Sequence, residues 1–148
     1  MADATAPPSR AVRGTIAVLA DDLIWASRLV TAVERAGARA VRLASETELL
    51  AVLEADHHAE LGPNELDRRL VGVIIDMNAR RYDGPTAVRR AAGAGKPVIA
   101  AAQHDDHLTR RRALDAGAQR VFAYTKLFSD GPAVVDRWLT TMSRDAGG

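Results

Sequence analysis

The chain has 148 residues, 47% of them hydrophobic and 26% charged, with a net charge of +1. That length fits one domain with a core of its own, and the charge balance excludes a protein that holds nucleic acid by bulk electrostatics. The absence of cysteine excludes disulfides, thiolate metal sites and a cysteine nucleophile. No N-terminal run has signal-peptide character, and no stretch approaches the roughly 20 apolar residues of a membrane span. The expectation is a cytoplasmic protein with no nucleic-acid and no membrane partner.

Residues 1–13 carry Ala, Pro and Ser without periodicity and read as a flexible arm. A domain is expected over 14–144, with 145–148 as a frayed tail. "TIAVLA", Thr15 to Ala20, is a short apolar run and predicts a buried strand. Asp21-Asp22 ends it. Ala26, Leu29, Val30 and Val33 follow at helical spacing, and Gly37 is a fitting stop. "ARAVRLA" alternates small or apolar residues with Arg, as a strand near a sheet edge does. Ser45-Glu46-Thr47-Glu48 is a capping box for a helix carrying Leu49, Leu50, Val52 and Leu53. "HHAELGPNELDRR" holds the turn Gly62-Pro63-Asn64 and reads as an extended loop, or as a helix end followed by a loop.

"LVGVIID" is the most continuous apolar run and predicts a central parallel strand ending on Asp76. Gly84-Pro85 opens a helix to about Ala94, "VIAAA" is a fourth strand, and "HDDHLTRRRALDAG" is a helix closed by Gly117. "RVFAY" is a fifth strand, ending on Tyr124. Ser129 then caps a last helix with Pro132 in its first turn. Strands alternating with helices predict an α/β fold whose parallel sheet is covered on both faces. The expected architecture is a flavodoxin-like, doubly wound sheet of five strands in order 2-1-3-4-5, with five helices.

Ligands of such sheets bind outside the carboxyl ends of the strands. In that strand order the first and third strands are neighbours, so Asp21, Asp22 and Asp76 approach one another. Three carboxylates repel unless a cation sits among them. Mg²⁺ suits such oxygen ligands, and an Asp beside it can be a phosphoryl-accepting nucleophile. The competing reading is that Asp22 caps the next helix and Asp76 satisfies a loop. Spacing alone does not choose between them.

Further motifs lie around these carboxylates. "DMNARRYDG" runs from Asp76 to Asp83-Gly84, "KPVIAAA" leads the fourth strand, and "ALDAGAQRVFAYTKLF" approaches and follows the fifth. Together with Asp21-Asp22, and across about Thr15 to Met142, the chain resembles the receiver domains of bacterial two-component response regulators of the chemotaxis type. The resemblance implies Asp76 as phosphoacceptor, with Asp21, Asp22, Asp76 and the Asn78 backbone carbonyl as Mg²⁺ ligands. It also implies a signalling protein, not an enzyme, whose partners are other proteins, such as a histidine kinase. The family's partner and dimer face is built from the last two helices and the fifth strand, where Tyr124 and Phe128 stand; plain packing is the competing reading for these rings.

Several positions depart from the family pattern. Its hydroxyl residue at the end of the fourth strand is Ala102, which has no hydrogen to donate. Its Lys at the end of the fifth strand is Tyr124. Lys126 lies two residues on and would face the same way if the strand continued. The switch ring of the fifth strand is Val121, with Phe122 facing the other side. The acceptor-loop Pro is Arg80. The acidic half of the pattern is kept and the phosphate-sensing half is replaced. The expected function is therefore a single-domain, receiver-like module that signals through protein contacts with a degenerate phosphoryl site. The alternative is a working phospho-accepting regulator at Asp76 with Mg²⁺.

The remaining signals are weaker. His104-Asp105-Asp106-His107 opens a helix, where Asp is favoured by capping and the dipole, so it reads as a cap before it reads as a metal cluster. His57-His58 reads as a solvated loop pair, and Arg110-Arg111-Arg112 fans around a helix axis as solvated surface. Trp25 falls near the pocket mouth. Neither a phosphate-binding Gly-rich loop nor a dinucleotide fingerprint is present. A small Mg²⁺-dependent phosphatase of haloacid-dehalogenase type would want a second Asp where Asn78 stands, and a cobalamin-binding domain would want a His in the loop after an Asp.

Overall fold

The computed structural model describes residues 12–147. Five strands form one parallel sheet: β1 (Thr15–Leu19), β2 (Arg39–Leu43), β3 (Leu70–Asp76), β4 (Val98–Ala102) and β5 (Arg120–Ala123). Their order is β2-β1-β3-β4-β5, so β1 and β3 are hydrogen-bonded neighbours and β2 and β5 are the edges. Five α-helices connect and close the sheet: α1 (Leu23–Arg35), α2 (Glu46–His58), α3 (Gly84–Gly93), α4 (His107–Ala116) and α5 (Tyr124–Gly147). This is the expected doubly wound architecture. No helix among the described residues is long and apolar enough to cross a membrane.

Alternation along the strands divides the core into two layers, because successive side chains leave a strand on opposite faces. Ala17, Leu19, Val73, Ile75 and Val121 meet Leu49, Val88 and Ala113 on one face. Ile16, Val18, Ile74 and Ile99 meet Leu29, Val33, Trp138 and Leu139 on the other. Gly72 makes room for the second layer. A Cβ there would stand 2.5 Å from the Trp138 ring, so the bare strand lets the indole lie against the sheet. The indole N–H is held by the Gln119 amide oxygen at 2.9 Å.

Several boundaries differ from the sequence expectation. The expected arm over 1–13 lies outside the described residues as far as residue 11. Arg13 is anchored: its guanidinium reaches Asp136 Oδ1 at 2.5 Å, Thr140 Oγ1 at 3.0 Å and the Ala36 carbonyl at 3.2 Å. Residues 145–147, expected to fray, continue the backbone of α5, and Gly148 lies outside the described residues. Part of the loop after α2 is a 3-10 helix over Pro63–Arg68. His57 and His58 finish α2 rather than lie in a loop, and His58 faces Glu54 at 3.0 Å.

The largest correction concerns β5. It stops at Ala123, and Tyr124 begins α5, which is broken at Asp130 (φ −128°, ψ 22°). The cause is Pro132, which has no N–H to return to Phe128 and whose ring crowds that carbonyl. A last helix does follow the break, with Pro132 in its first turn, but Ser129 does not cap it: Ser129 precedes the break and its hydroxyl donates back to the Thr125 carbonyl at 3.0 Å.

Candidate functional site

Asp76 ends β3 and is 1% exposed. Its neighbours across the sheet are Ala101 on β4 and, one residue before, the Leu19–Ile75 pair on β1. The main chain brings Asp21 and Asp22 beside it, as the strand order requires. Each acidic group, however, already has protein donors.

Asp22 is the N-cap of α1, its Oδ1 accepting from the Ile24 and Trp25 N–H groups at 2.9 and 3.0 Å. Asp21 Oδ2 accepts from the backbone N–H groups of Arg80 and Arg81 at 2.7 and 2.9 Å, which pins the loop after β3 to the end of β1. Burial pushes the Asp21 carboxyl up, but these N–H donors outweigh it and leave the group below its ordinary value. Asp76 Oδ1 accepts from the Asn78 N–H at 3.1 Å and from the Tyr124 hydroxyl. Burial dominates Asp76 and raises it. The Tyr124 and Asn78 donors oppose that rise, and the charges of Asp21 and Asp22 add to it.

Tyr124 occupies the position at which the resemblance places Lys. Its phenol is buried and held on Asp76, and burial together with the Asp76 contact pushes its pKa well above the ordinary range. Trp25 covers it, with ring centroids 4.5 Å apart and planes at 37°. Ala102 ends β4, buried, with only a methyl group to offer. Lys126, the possible substitute for the family's Lys, is paired with a neighbour on its own helix. The strand does not continue, so Lys126 stands on the first turn of α5 and its ammonium meets Asp130 at 2.7 Å. Val121 packs in the layer with α3 and α4, while Phe122 packs on the opposite layer, as alternation requires.

Asp83-Gly84 has a local explanation. Asp83 is the N-cap of α3, accepting from the Thr86 N–H at 3.0 Å and the Thr86 hydroxyl at 2.6 Å. A Cβ on Gly84 would stand 2.9 Å from the Met77 methyl and 3.2 Å from the Met77 Cα, so a side chain there would push the helix off the loop.

Tyr82 escaped the sequence reading. Its buried hydroxyl donates to the Asp76 carbonyl at 2.7 Å and lies 3.0 Å from the Leu19 carbonyl, tying the ends of β3 and β1 together. Burial and the nearby Asp76 charge push its pKa up strongly. A Tyr among polar loop residues, six positions after a strand end, is the only trace of this in the sequence. In the HDDH stretch Asp106 caps α4, accepting from the Thr109 N–H at 3.0 Å, and both His side chains are exposed.

As folded, the three carboxylates are not drawn together into a ready Mg²⁺ site. Among the described residues no three Asp, Glu, His or Cys side chains converge on one point. An oxygen of Asp21, of Asp22 and of Asp76 is each committed to N–H or O–H donors.

No protein-family model matches the chain, and no curated protein matches it. Solved structures do, and receiver domains of signalling proteins are among them. The signal receiver domain of an HD-domain-containing protein from Pseudomonas fluorescens matches with a TM-score of 0.72 at 15% identity, covering 93% of this chain and 94% of that one. A CheY-like receiver-domain protein from Methanospirillum hungatei matches with a TM-score of 0.71 at 15% identity, over 91% and 99% of the two chains. The receiver domain of the regulator TorR of a trimethylamine-oxide respiratory system gives 0.70 at 15%, over 87% and 98%. This chain therefore has the receiver-domain fold.

Proposed function

We propose that this chain is a receiver-like signalling module of two-component type, working through protein contacts, with its phosphoryl site closed. The observation that carries the reading is the Tyr124 hydroxyl on a fully buried Asp76. A carboxylate attacks phosphorus through a lone pair with an open line of approach. Here Oδ1 holds two donors, the group is out of contact with solvent, and Trp25 lies on the ring that covers it. Freeing the carboxylate means giving up a charge-assisted hydrogen bond worth about 1.5–3 kcal/mol. Ala102 then offers no hydroxyl, and Tyr124 no cation, to hold a phosphoryl group once formed.

With no chemistry of its own, the module is not an enzyme and its output is binding. Its partners are other signalling proteins, a histidine kinase among the candidates, and its setting is the cytoplasm. The exposed side of α4, β5 and α5 is the candidate face for a partner or a second copy, with Leu108 and Leu114 exposed and Arg120 lying over the Phe122 ring at 5.2 Å.

The test is incubation of the full chain with Mg²⁺ and a small phosphoryl donor such as acetyl phosphate, read by intact mass, with Asp76→Asn as control. No phosphoryl adduct beyond the control is expected. An adduct at Asp76 in most molecules would replace this reading with the phospho-accepting regulator.

A further inference from the structure

A second cavity lies at the other end of the sheet, where the strands begin. It measures 300 Å³ and sits between the starts of β3 and β4 and the second half of α5. Val71 and Pro97 from the sheet and Leu139 and Met142 from the helix give it an apolar lining. Arg13, Arg69 and Lys96 line it as well, and no carboxylate does.

A bulge in β3 turns Val71 toward this hollow. Thr15 pairs with Leu70 and Ile16 with Gly72, so Val71 has no partner on β1. An extra residue of this kind interrupts the alternation of side chains. Leu70 packs in the layer of Leu49 and Val88. Val71 packs in the layer of Leu29 and Trp138, and a Cβ on Gly72 would point into that same layer. Two successive residues thus face α5. The turn into β1 closes on Val71 because Gly14, at φ +102°, has no side chain: a Cβ there would stand 2.7 Å from a Val71 methyl. Bulges re-aim side chains and are frequent beside functional sites.

Charge selects the occupant. Arg13 already holds Asp136 at 2.5 Å. Lys96 donates to Asp56 Oδ2 at 2.6 Å and to the Leu70 carbonyl at 2.9 Å, and an ammonium has three N–H donors. Arg69 is exposed and joins no ion pair among the described residues. Two acids therefore stand against three cations, which leaves an apolar cavity with one positive charge in excess. We propose that it binds a small organic carboxylate with an aryl or short acyl body. The carboxylate meets the Arg69 guanidinium, whose parallel N–H groups match two oxygens, and the remaining N–H of Lys96. The body lies against Val71, Leu139 and Met142. The volume is at the small end of ligand cavities, which fits one ring or a short chain. The site is at the opposite end of β3 from Asp76 and stands whether or not Asp76 accepts a phosphoryl group.

The probes are 3-phenylpropanoate, its neutral amide and acetate, each titrated into the full isotope-labelled chain. The phenylpropanoate is expected to give saturable shifts of the Val71, Leu139 and Met142 methyl signals and of the Arg69 and Gly95 amides. The Trp25 indole, stacked on Tyr124 at the other end of the sheet, stays in place. The amide and acetate, which each lack half of the chemistry, are expected to bind at least about tenfold more weakly, a step of 1.4 kcal/mol. Arg69→Glu changes an exposed side chain and is expected to weaken the phenylpropanoate by at least the same factor, with an unchanged Trp138 indole signal reporting an intact fold. Absence of saturable shifts, equal binding of acid and amide, indifference to Arg69→Glu, or shifts confined to the Trp25 end overturns the proposal. So does sedimentation of the chain with phosphatidylglycerol vesicles without binding of the free acid, which assigns the cavity to a membrane surface.

Discussion

Replacing Tyr124 with Phe removes one hydroxyl and keeps the ring, its packing on Trp25 and its place on α5. Asp76, 1% exposed, then keeps only the Asn78 N–H on its Oδ1. A charge-assisted hydrogen bond in a buried site is worth about 1.5–3 kcal/mol, so Tyr124→Phe is expected to lower unfolding free energy by about that amount at neutral pH. The pH dependence follows from the direction of the Asp76 shift. Its folded-state pKa lies above the ordinary 3.8 of the unfolded chain. Protonation of Asp76 therefore favours the folded state. That contribution is whole below 3.8 and fades as the pH rises through the folded-state value. Loss of the Tyr124 donor raises Asp76 further, so the cost of the variant is largest at neutral pH. It shrinks to the cost of a neutral hydrogen bond, about 1 kcal/mol, once Asp76 is protonated in both proteins. Urea unfolding of wild type, Tyr124→Phe, Asp76→Asn and the double variant at neutral and acid pH gives the coupling directly. A coupling near zero at neutral pH, or a cost that does not change with pH, would refute the bond between the two side chains.

Other substitutions test the rest of the account. Asp76→Asn removes a desolvated charge and is expected to leave stability at neutral pH equal to or above wild type in the same unfolding assay. Tyr82→Phe leaves the Leu19 and Asp76 carbonyls without their shared donor and is expected to cost about 1–2 kcal/mol, read as a lower midpoint with an unchanged slope. Gly72→Ala drives a methyl group into the Trp138 ring and is expected to cost about 1–3 kcal/mol, with a displaced Trp138 indole signal. Asp56, bonded to Lys96 at 2.6 Å and to the Leu70 N–H at 2.8 Å, stays below its ordinary 3.8 because those donors outweigh its burial. The stability it contributes is present above 3.8 and lost as the pH falls through its folded value. Asp56→Asn is expected to cost about 1–3 kcal/mol at neutral pH and less in acid.

Local chemistry made most of the fold legible. The apolar runs of β1, β3 and β4 are unbroken because both faces of a central parallel strand are covered, and Ser45, Asp22 and Asp83 sit where their side chains cap the helices that follow. The spacing of Asp21, Asp22 and Asp76 placed them at neighbouring strand ends, and the structure puts them there. Asp22 takes the capping role that spacing left open, while Asp21 holds a loop, a role that spacing did not suggest. The position of Tyr124 was less legible. Residues 120–124 form a short apolar run like a strand's, but the backbone turns helical at Tyr124, and that turn moves Lys126 out to Asp130. Whether a strand runs one residue longer depends on its neighbour, and β4 ends at Ala102, opposite Ala123. Tyr82 was not legible because its partners are main-chain carbonyls on two strands, which no local pattern records.

The most direct test of the closed pocket is an amide NMR titration of the full chain with Mg²⁺, then Mg²⁺ with beryllofluoride, against Asp76→Asn. The account predicts no saturable change at Asp76, Ala102 or Tyr124 in wild type. It predicts a response once Tyr124→Lys and Ala102→Thr are made together. Saturable shifts in wild type that spread from Asp76 through Ala102 to Tyr124, absent in Asp76→Asn, would contradict it and establish a working phosphoryl switch.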